Sequence, residues 1–314
     1  MGKTIIPIES KLKTLILEIK GNSLDDGPGI RTVVFFKGCP LSCIWCHNPE
    51  SKSSDAELSF DRNECVGCGA CESACPEEAI DRTRPYPVNR GKCTLCFRCC
   101  DVCPSQALSP VGSAMTAQQI ITIIERDIPF YNTSGGGVTL SGGEPALYMD
   151  FVSHLLRPLK DRKIHTIIET CGFFNNRRFM DLVYPYLDAV YMDLKLFDRE
   201  DHRRYCGVPN DAILDNFRNL HELYLNGGIE VLPRIPLVPG ITATGENLRD
   251  LVGFLKNCNA SRVALLPYNP LWPAKSDKIG AGNAMPSGEC MKGWMPAAEV
   301  KRCEAIFDGF EIVR

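Results

Sequence analysis

Arg31-Thr32-Val33-Val34-Phe35-Phe36-Lys37-Gly38-Cys39-Pro40-Leu41-Ser42-Cys43-Ile44-Trp45-Cys46-His47-Asn48-Pro49-Glu50 runs from a β-branched, aromatic segment into a loop holding three cysteines in a C-x3-C-x2-C array. A short apolar run of this kind reads as a strand, and the loop leaves from its carboxyl end. Three thiolates can ligate only three irons of a cubane. Closed iron–sulfur and zinc sites take four protein ligands, whereas a site one ligand short keeps a metal position free for a substrate. Cys39, Cys43 and Cys46 therefore read as a reactive cluster site.

Outward from this loop, short β-branched runs alternate with helical periods, the pattern of βα units on a mainly parallel sheet. The expected strands are Arg31 to Phe36, Val138 to Leu140, His165 to Glu169, Ala189 to Asp193, Glu230 to Pro236 and Arg262 to Pro267. Between them, Ile120, Ile121 and Ile124, and then Phe151, Leu155, Leu156 and Leu159, fall at spacings suited to helices that cover the sheet. Setting aside the 48 residues from 61 to 108 leaves 266, enough for an open or a full barrel. The expected fold is α/β, a partial (β/α)6 TIM-like barrel with an inserted ferredoxin-like two-cluster domain. Residues 1–60 form its first part with the cluster loop, 61–108 the insert, and 109–314 the rest of the barrel and the tail.

The insert differs in composition. Nine cysteines crowd between Cys65 and Cys103, with Pro76, Pro85, Pro87 and Pro104 as breakers and few large apolar residues. Metal rather than hydrophobic burial has to hold such a segment. Cys65-x2-Cys68-x2-Cys71-x3-Cys75-Pro76 and Cys93-x2-Cys96-x2-Cys99-x3-Cys103-Pro104 are two copies of the bacterial two-cluster ferredoxin run. In that pattern the fourth cysteine crosses over, so Cys65, Cys68, Cys71 and Cys103 are assigned to one 4Fe–4S cluster and Cys93, Cys96, Cys99 and Cys75 to the other. Cys100 is out of register and reads as a packed thiol. A pair of zinc knuckles is the bland alternative, which two full copies, each with its proline, disfavour.

Composition narrows the function classes. The formal charge is −3, with no block of five or more basic residues, so nothing marks a nucleic-acid footprint. Seventeen cysteines without a signal-peptide pattern, mostly in C-x2-C spacing, point to metal in a reducing cytoplasm rather than to disulfides. Apolar runs such as Thr32 to Phe36 and Ile120 to Ile124 are far below the ~20 residues that span a bilayer. No membrane association is expected.

The C-x3-C-x-aromatic-C form of Cys39, Cys43, Trp45 and Cys46 resembles the signature of radical S-adenosylmethionine (SAM) enzymes, in which the cofactor's amino and carboxylate groups chelate the fourth iron. Asp26-Gly27-Pro28-Gly29-Ile30-Arg31-Thr32 before the strand, with Cys46-His47-Asn48-Pro49 after it, is similar to the glycyl-radical-enzyme activating enzymes, the group of the pyruvate formate-lyase activator. The resemblance runs from about residue 14 onward, and the insert matches the longer activators. It implies an anaerobic oxidoreductase that cleaves SAM reductively to a 5′-deoxyadenosyl radical, which abstracts a hydrogen from a glycine α-carbon of a partner glycyl radical enzyme. It also implies a flavodoxin or ferredoxin-type electron donor, three 4Fe–4S clusters and a monomeric chain.

Residue by residue, the resemblance places Trp45 beside the adenine, and Gly142, Gly143 and Glu144 of Ser141-Gly142-Gly143-Glu144-Pro145 near the methionyl amino group. Asp193 and Lys195 become cofactor contacts, Arg234 a partner for the cofactor carboxylate, and Asn269 a further contact at the sixth strand end. Glu169, Thr170 and Asp193 surround a monovalent cation. The short activator has Asp-Thr where this chain has Glu169-Thr170. The expected partner surface comprises Asp26 to Arg31 and the tail from Lys275 to Met295, where Ala281 to Met295 follows no family pattern.

His47 reads as a loop cap, and His165, His202 and His221 as surface or core residues. Cys171, Cys206, Cys258, Cys290 and Cys303 have no partner spacing and read as idle thiols. Two rival classes share parts of this pattern. A radical SAM enzyme acting on a small molecule would carry the three-cysteine loop without Asp26 to Arg31. A non-catalytic iron–sulfur electron carrier would leave the strand-end residues without a task.

Overall fold

The computed structural model describes residues 12–282 and 291–313. Eleven strands are present among them: β1 (Lys13–Ser23), β2 (Arg31–Phe36), β3 (Glu57–Phe60), β4 (Leu108–Val111), β5 (Ser113–Thr116), β6 (Gly137–Gly142), β7 (His165–Thr170), β8 (Ala189–Asp193), β9 (Glu230–Leu237), β10 (Arg262–Pro267) and β11 (Glu311–Val313). Nine form one sheet in the order β11-β10-β9-β8-β7-β6-β2-β1-β5. From β2 to β11 the pairing is parallel, whereas β1 runs antiparallel to both β2 and β5. Among the described residues β5 and β11 each pair on one side only, so the sheet stays open. All six expected strands are present, and β11 adds a seventh to the parallel series.

Burial explains the layering. All but the last residue of β6 and all but the first of β7 are buried, the signature of parallel strands covered on both faces. Helices supply the cover. The helix Ala117–Ile124 starts at a capping box, in which the Thr116 side chain accepts from Gln119 N and the Gln119 side chain accepts from Thr116 N. It buries Ile120, Ile121 and Ile124; the helix Met149–Asp161 buries Phe151, Val152, Leu155, Leu156 and Leu159. β1 instead alternates buried Thr14 and Ile16 with more open positions and carries Lys13, Glu18 and Lys20, as a strand near a sheet edge does.

The cysteine-rich segment stands apart on its own two-stranded sheet, β3 against β4, with Glu57 opposite Val111 and Phe60 opposite Leu108. This sheet extends outside the 61–108 segment at both ends. Its core is small: Leu58, Val88, Cys99 and Leu108 are buried, with Phe60, Ile80, Tyr86 and several cysteines packed around them. Among the described residues no helix is long and apolar enough to cross a membrane.

Candidate active site

The parallel register brings the strand carboxyl ends to one edge. Phe36 of β2 pairs with Gly142 of β6, Thr170 of β7 with Met192 of β8, and Asp193 of β8 with Arg234 of β9. Ligand sites in parallel α/β sheets form outside such ends.

The cysteine loop leaves β2 and is held from two sides. Gly38 N donates to Ser51 O at 2.7 Å and Cys39 N to Lys52 O at 3.1 Å. Across the site, Ser42 N donates to Cys206 O at 2.9 Å and Ile44 N to Tyr205 O at 3.1 Å, so the end of the helix Arg199–Cys206 receives the loop. Cys43 is buried, and Cys39 and Cys46 are half-buried. The Cys206 thiol lies beside Cys43 and, with Lys195 adding its charge, lowers the Cys43 thiol pKa against the effect of burial. Burial pushes Cys46 up to about 12. Cys171 stands likewise against Cys39. Cys206 and Cys171 thus stand beside motif thiols, and only the folded chain puts them here, far in sequence from the thiols they meet.

Ser141 to Glu144 form the floor. Gly143 N donates to Phe36 O and Glu144 N to Gly38 O, both at 2.8 Å, and a Cβ on Gly143 would lie 2.2 Å from Gly38 O. Gly142 has φ +102°, which an L side chain rarely adopts. These glycines allow two loops to touch, and the Gly143 and Glu144 amides are already bonded. Glu144 is wholly buried; its carboxylate accepts from Ala146 N at 3.0 Å, Thr170 Oγ1 at 2.8 Å and Cys171 N at 2.7 Å. Burial raises its carboxyl above the usual range against those bonds. It ties β6 to the end of β7 and presents no open oxygen as a cofactor contact.

Beside the loop lies a charged set. Arg234 Nε donates to Asp193 Oδ1 at 2.9 Å, and Arg234 Nη1 also pairs with Glu169 Oε1. Lys195 Nζ reaches Asp193 Oδ2 at 3.0 Å, and Ser141 Oγ donates to Glu169 Oε2 at 2.6 Å. Burial opposes the Asp193 carboxylate, but Arg234 and then Lys195 outweigh it and hold its pKa below the usual range. Two acids and two bases, nearly buried and mutually bonded, suit an amino-acid zwitterion, whose ammonium and carboxylate each find the opposite charge. Arg234 occupies the space between Glu169 and Asp193, and Thr170 turns its hydroxyl to Glu144.

Other expected residues are placed differently. Trp45 is 3 % exposed and packs in the main core. Asn269 Oδ1 accepts from Leu271 N at 2.9 Å, and His47 meets the Tyr268 ring edge-on at 5.9 Å. Arg31 is fully buried and does not join an outer surface: its guanidinium donates to Thr139 Oγ1, Pro28 O, Val138 O and His165 O at the amino end of the sheet. A strand-opening arginine with several carbonyls in reach is a bracket for the Asp26 to Arg31 turn. In the tail, 283–290, including Met285 and Cys290, lie outside the described residues, while Trp294 is exposed and Met295 buried.

In the insert, Cys65, Cys68, Cys71 and Cys103 surround one cavity, and Cys75, Cys93, Cys96 and Cys99 another. The fourth cysteine of each run crosses to the other group. Each cavity thus offers four thiols among apolar neighbours, the donor set of a 4Fe–4S cluster. Cys100 packs against Cys99.

Comparison with known proteins agrees with this architecture. The Radical SAM superfamily model matches residues 92–254, the 4Fe-4S binding domain model 58–81, and the 4Fe-4S single cluster domain model 25–67. The trans-4-hydroxy-L-proline dehydratase activating enzyme of Clostridioides difficile is 42 % identical over 272 residues, 85 % of this chain and 88 % of that protein. The indoleacetate decarboxylase activating enzyme of Tractidigestivibacter scatoligenes is 36 % identical over 292 residues, 89 % of this chain and 90 % of that protein. A radical SAM methyltransferase from Sphaerobacter thermophilus shares the fold, with a TM-score of 0.54 at 13 % identity over 96 % of this chain and 76 % of that one. The chain belongs to the glycyl-radical-enzyme activating enzymes of the radical SAM superfamily.

Proposed function

We propose that this chain activates a partner glycyl radical enzyme, with Cys39, Cys43 and Cys46 holding the cluster that binds SAM. When bound, that cluster and SAM supply reductive carbon–sulfur cleavage and the 5′-deoxyadenosyl radical that takes a hydrogen from a glycine α-carbon. The protein's own residues bind, orient and exclude water. Asp193 and Glu169 offer carboxylates to the SAM ammonium, while Lys195 and Arg234 face its carboxylate. Gly142, Gly143 and Glu144 shape the floor, and Trp45 and Asn269 support the loops around it.

The observation that carries this reading is the juxtaposition of the three-thiol loop with the bonded Glu169, Asp193, Lys195 and Arg234 at one sheet edge. A monovalent cation at Glu169, Thr170 and Asp193 would share oxygens that Arg234 already bridges. The two four-cysteine cavities are assigned 4Fe–4S clusters that relay electrons from a flavodoxin or ferredoxin-type donor. We assign the protein to the cytoplasm as a monomer, with no nucleic-acid or membrane partner; the formal charge of −3 without a basic block supports the former. We also take the division at residues 60 and 108 as that between barrel and insert.

Isotope transfer tests the reaction. A partner enzyme carrying α-deuterated glycine should pass deuterium into 5′-deoxyadenosine under anaerobic, reducing conditions. Deuterium-free 5′-deoxyadenosine formed alongside an activated partner would remove direct abstraction from glycine.

A further inference from the structure

A chain of charges, buried at Lys37, nearly so at Glu57 and half-exposed at Arg90, joins the reactive loop to one insert site. Lys37, two residues before Cys39, is fully buried, and its Nζ donates to Glu57 Oε2 at 2.7 Å and to Glu50 O at 2.8 Å. The second Glu57 oxygen lies 3.0 Å from Arg90 Nη1. Arg90 enters the turn that leads to Cys93, three residues on, and its guanidinium also bonds to Ile279 O and lies 5.8 Å over the Tyr86 ring. Tyr86 Oη in turn donates to Leu58 O at 2.7 Å.

A lysine with no exposed surface at a strand end is costly unless its charge is matched, and an apolar side chain would fill that space more cheaply. Matched buried charges serve position better than they serve stability. Here the position fixed is that of the Cys93 turn relative to the Cys39 loop.

The strand β3 gives the order. Glu57, at its start, touches the barrel; Leu58, next along, lines the cavity of Cys75, Cys93, Cys96 and Cys99. Phe60 lines the cavity of Cys65, Cys68, Cys71 and Cys103. At ~3.3 Å per residue, the first cavity is nearer the reactive loop along the strand. Near the second, Asp61 meets Lys278 of the helix Trp272–Lys278 at 2.7 Å, farther along the chain from Glu57 and in a half-exposed pair.

We propose that Lys37, Glu57 and Arg90 are positioning residues that make the Cys75, Cys93, Cys96 and Cys99 site the one that delivers electrons to the Cys39, Cys43 and Cys46 site, with the Cys65, Cys68, Cys71 and Cys103 site upstream of it. One electron moves at each transfer: a low-potential one-electron donor reduces the outer site, the outer site reduces the inner, and the inner is reoxidised as the reactive site is reduced. No bond or proton changes hands in the relay. The order rests on the proposed relay role of the insert.

The experiment uses holoenzyme reduced with dithionite, stripped of reductant, mixed anaerobically with SAM and frozen at intervals for electron paramagnetic resonance. In the wild type both insert signals drain as methionine appears. In Cys96→Ala the outer signal persists after the reactive site has turned over; in Cys68→Ala the inner signal drains as in the wild type. Glu57→Gln, with wild-type iron content, drains more slowly by a factor on the order of ten, as expected when a positioning contact is lost. An outer signal that drains at the wild-type rate in Cys96→Ala, or unchanged drainage in Glu57→Gln, overturns the order and leaves the relay standing. Insert signals that never drain in the wild type remove the relay itself, and the order with it.

Discussion

Arg234 Nε donates to Asp193 Oδ1 at 2.9 Å, joining adjacent strands β9 and β8 at the point where the sheet meets the cysteine loop. The same guanidinium pairs with Glu169 on β7, so one cation bridges two nearly buried carboxylates. Removing it leaves Asp193 with Lys195 alone and Glu169 with only the Ser141 hydroxyl.

Arg234→Ala should therefore lose about 3–5 kcal/mol of stability, the range for breaking a buried pair. It should also create a binding place for a small cation between Glu169 and Asp193. Thermal unfolding of the variant should respond to sodium or potassium where the wild type does not. Equal cation response in both proteins would show that Arg234 does not occupy that place.

Gly143→Ala is expected to push the loops apart, because its Cβ would stand 2.2 Å from Gly38 O in backbone that cannot move aside. Overpacking of this kind costs about 1–3 kcal/mol. The seat of the cysteine loop should suffer first. A lowered melting temperature together with slower reconstitution of the reactive site is the expected result; wild-type behaviour in both would refute the close contact.

If the chain holds the three four-iron sites proposed, Cys43→Ala should lower iron and acid-labile sulfide by about a third, each site contributing equally. The insert signals should persist. Iron content falling by half or more would contradict three independent sites.

Asp188 gives a pH dependence that is independent of the metal sites. Burial opposes its carboxylate, but Lys160 Nζ and Thr166 N, at 2.5 and 2.8 Å, overcome this and hold its pKa below the usual range. A carboxyl depressed in the folded state contributes stability that is present above its unfolded pKa and lost as pH falls through the folded one. Asp188→Asn should thus destabilise by about 1 kcal/mol at neutral pH and by less below about pH 4. Unfolding curves at both pH values check the sign.

What could be read before folding followed the strength of local signals. The six strands announce themselves by β-branched runs, and the eleven motif cysteines by spacing. β11 is three residues long and β1 mixes charges into its alternation, so neither gives a clear period. Lys37, Glu57 and Arg90 carry no motif; their link exists only once β3 lies against the end of β2. Cys171 and Cys206 likewise gain meaning from the helix and strand ends that bring them to Cys39 and Cys43. Glu144 and Arg31 sit inside recognisable motifs, yet each is a buried brace, Glu144 beneath the site and Arg31 at the opposite, amino end of the sheet. A motif marks which residues belong together without saying which of them face the ligand.

The most direct measurement is electron paramagnetic resonance of a candidate glycyl radical enzyme after anaerobic incubation with this protein, SAM and reductant. A glycyl doublet should form with the wild-type chain and be absent with Cys43→Ala. A doublet of equal intensity with Cys43→Ala would contradict activation through the cluster held by Cys39, Cys43 and Cys46.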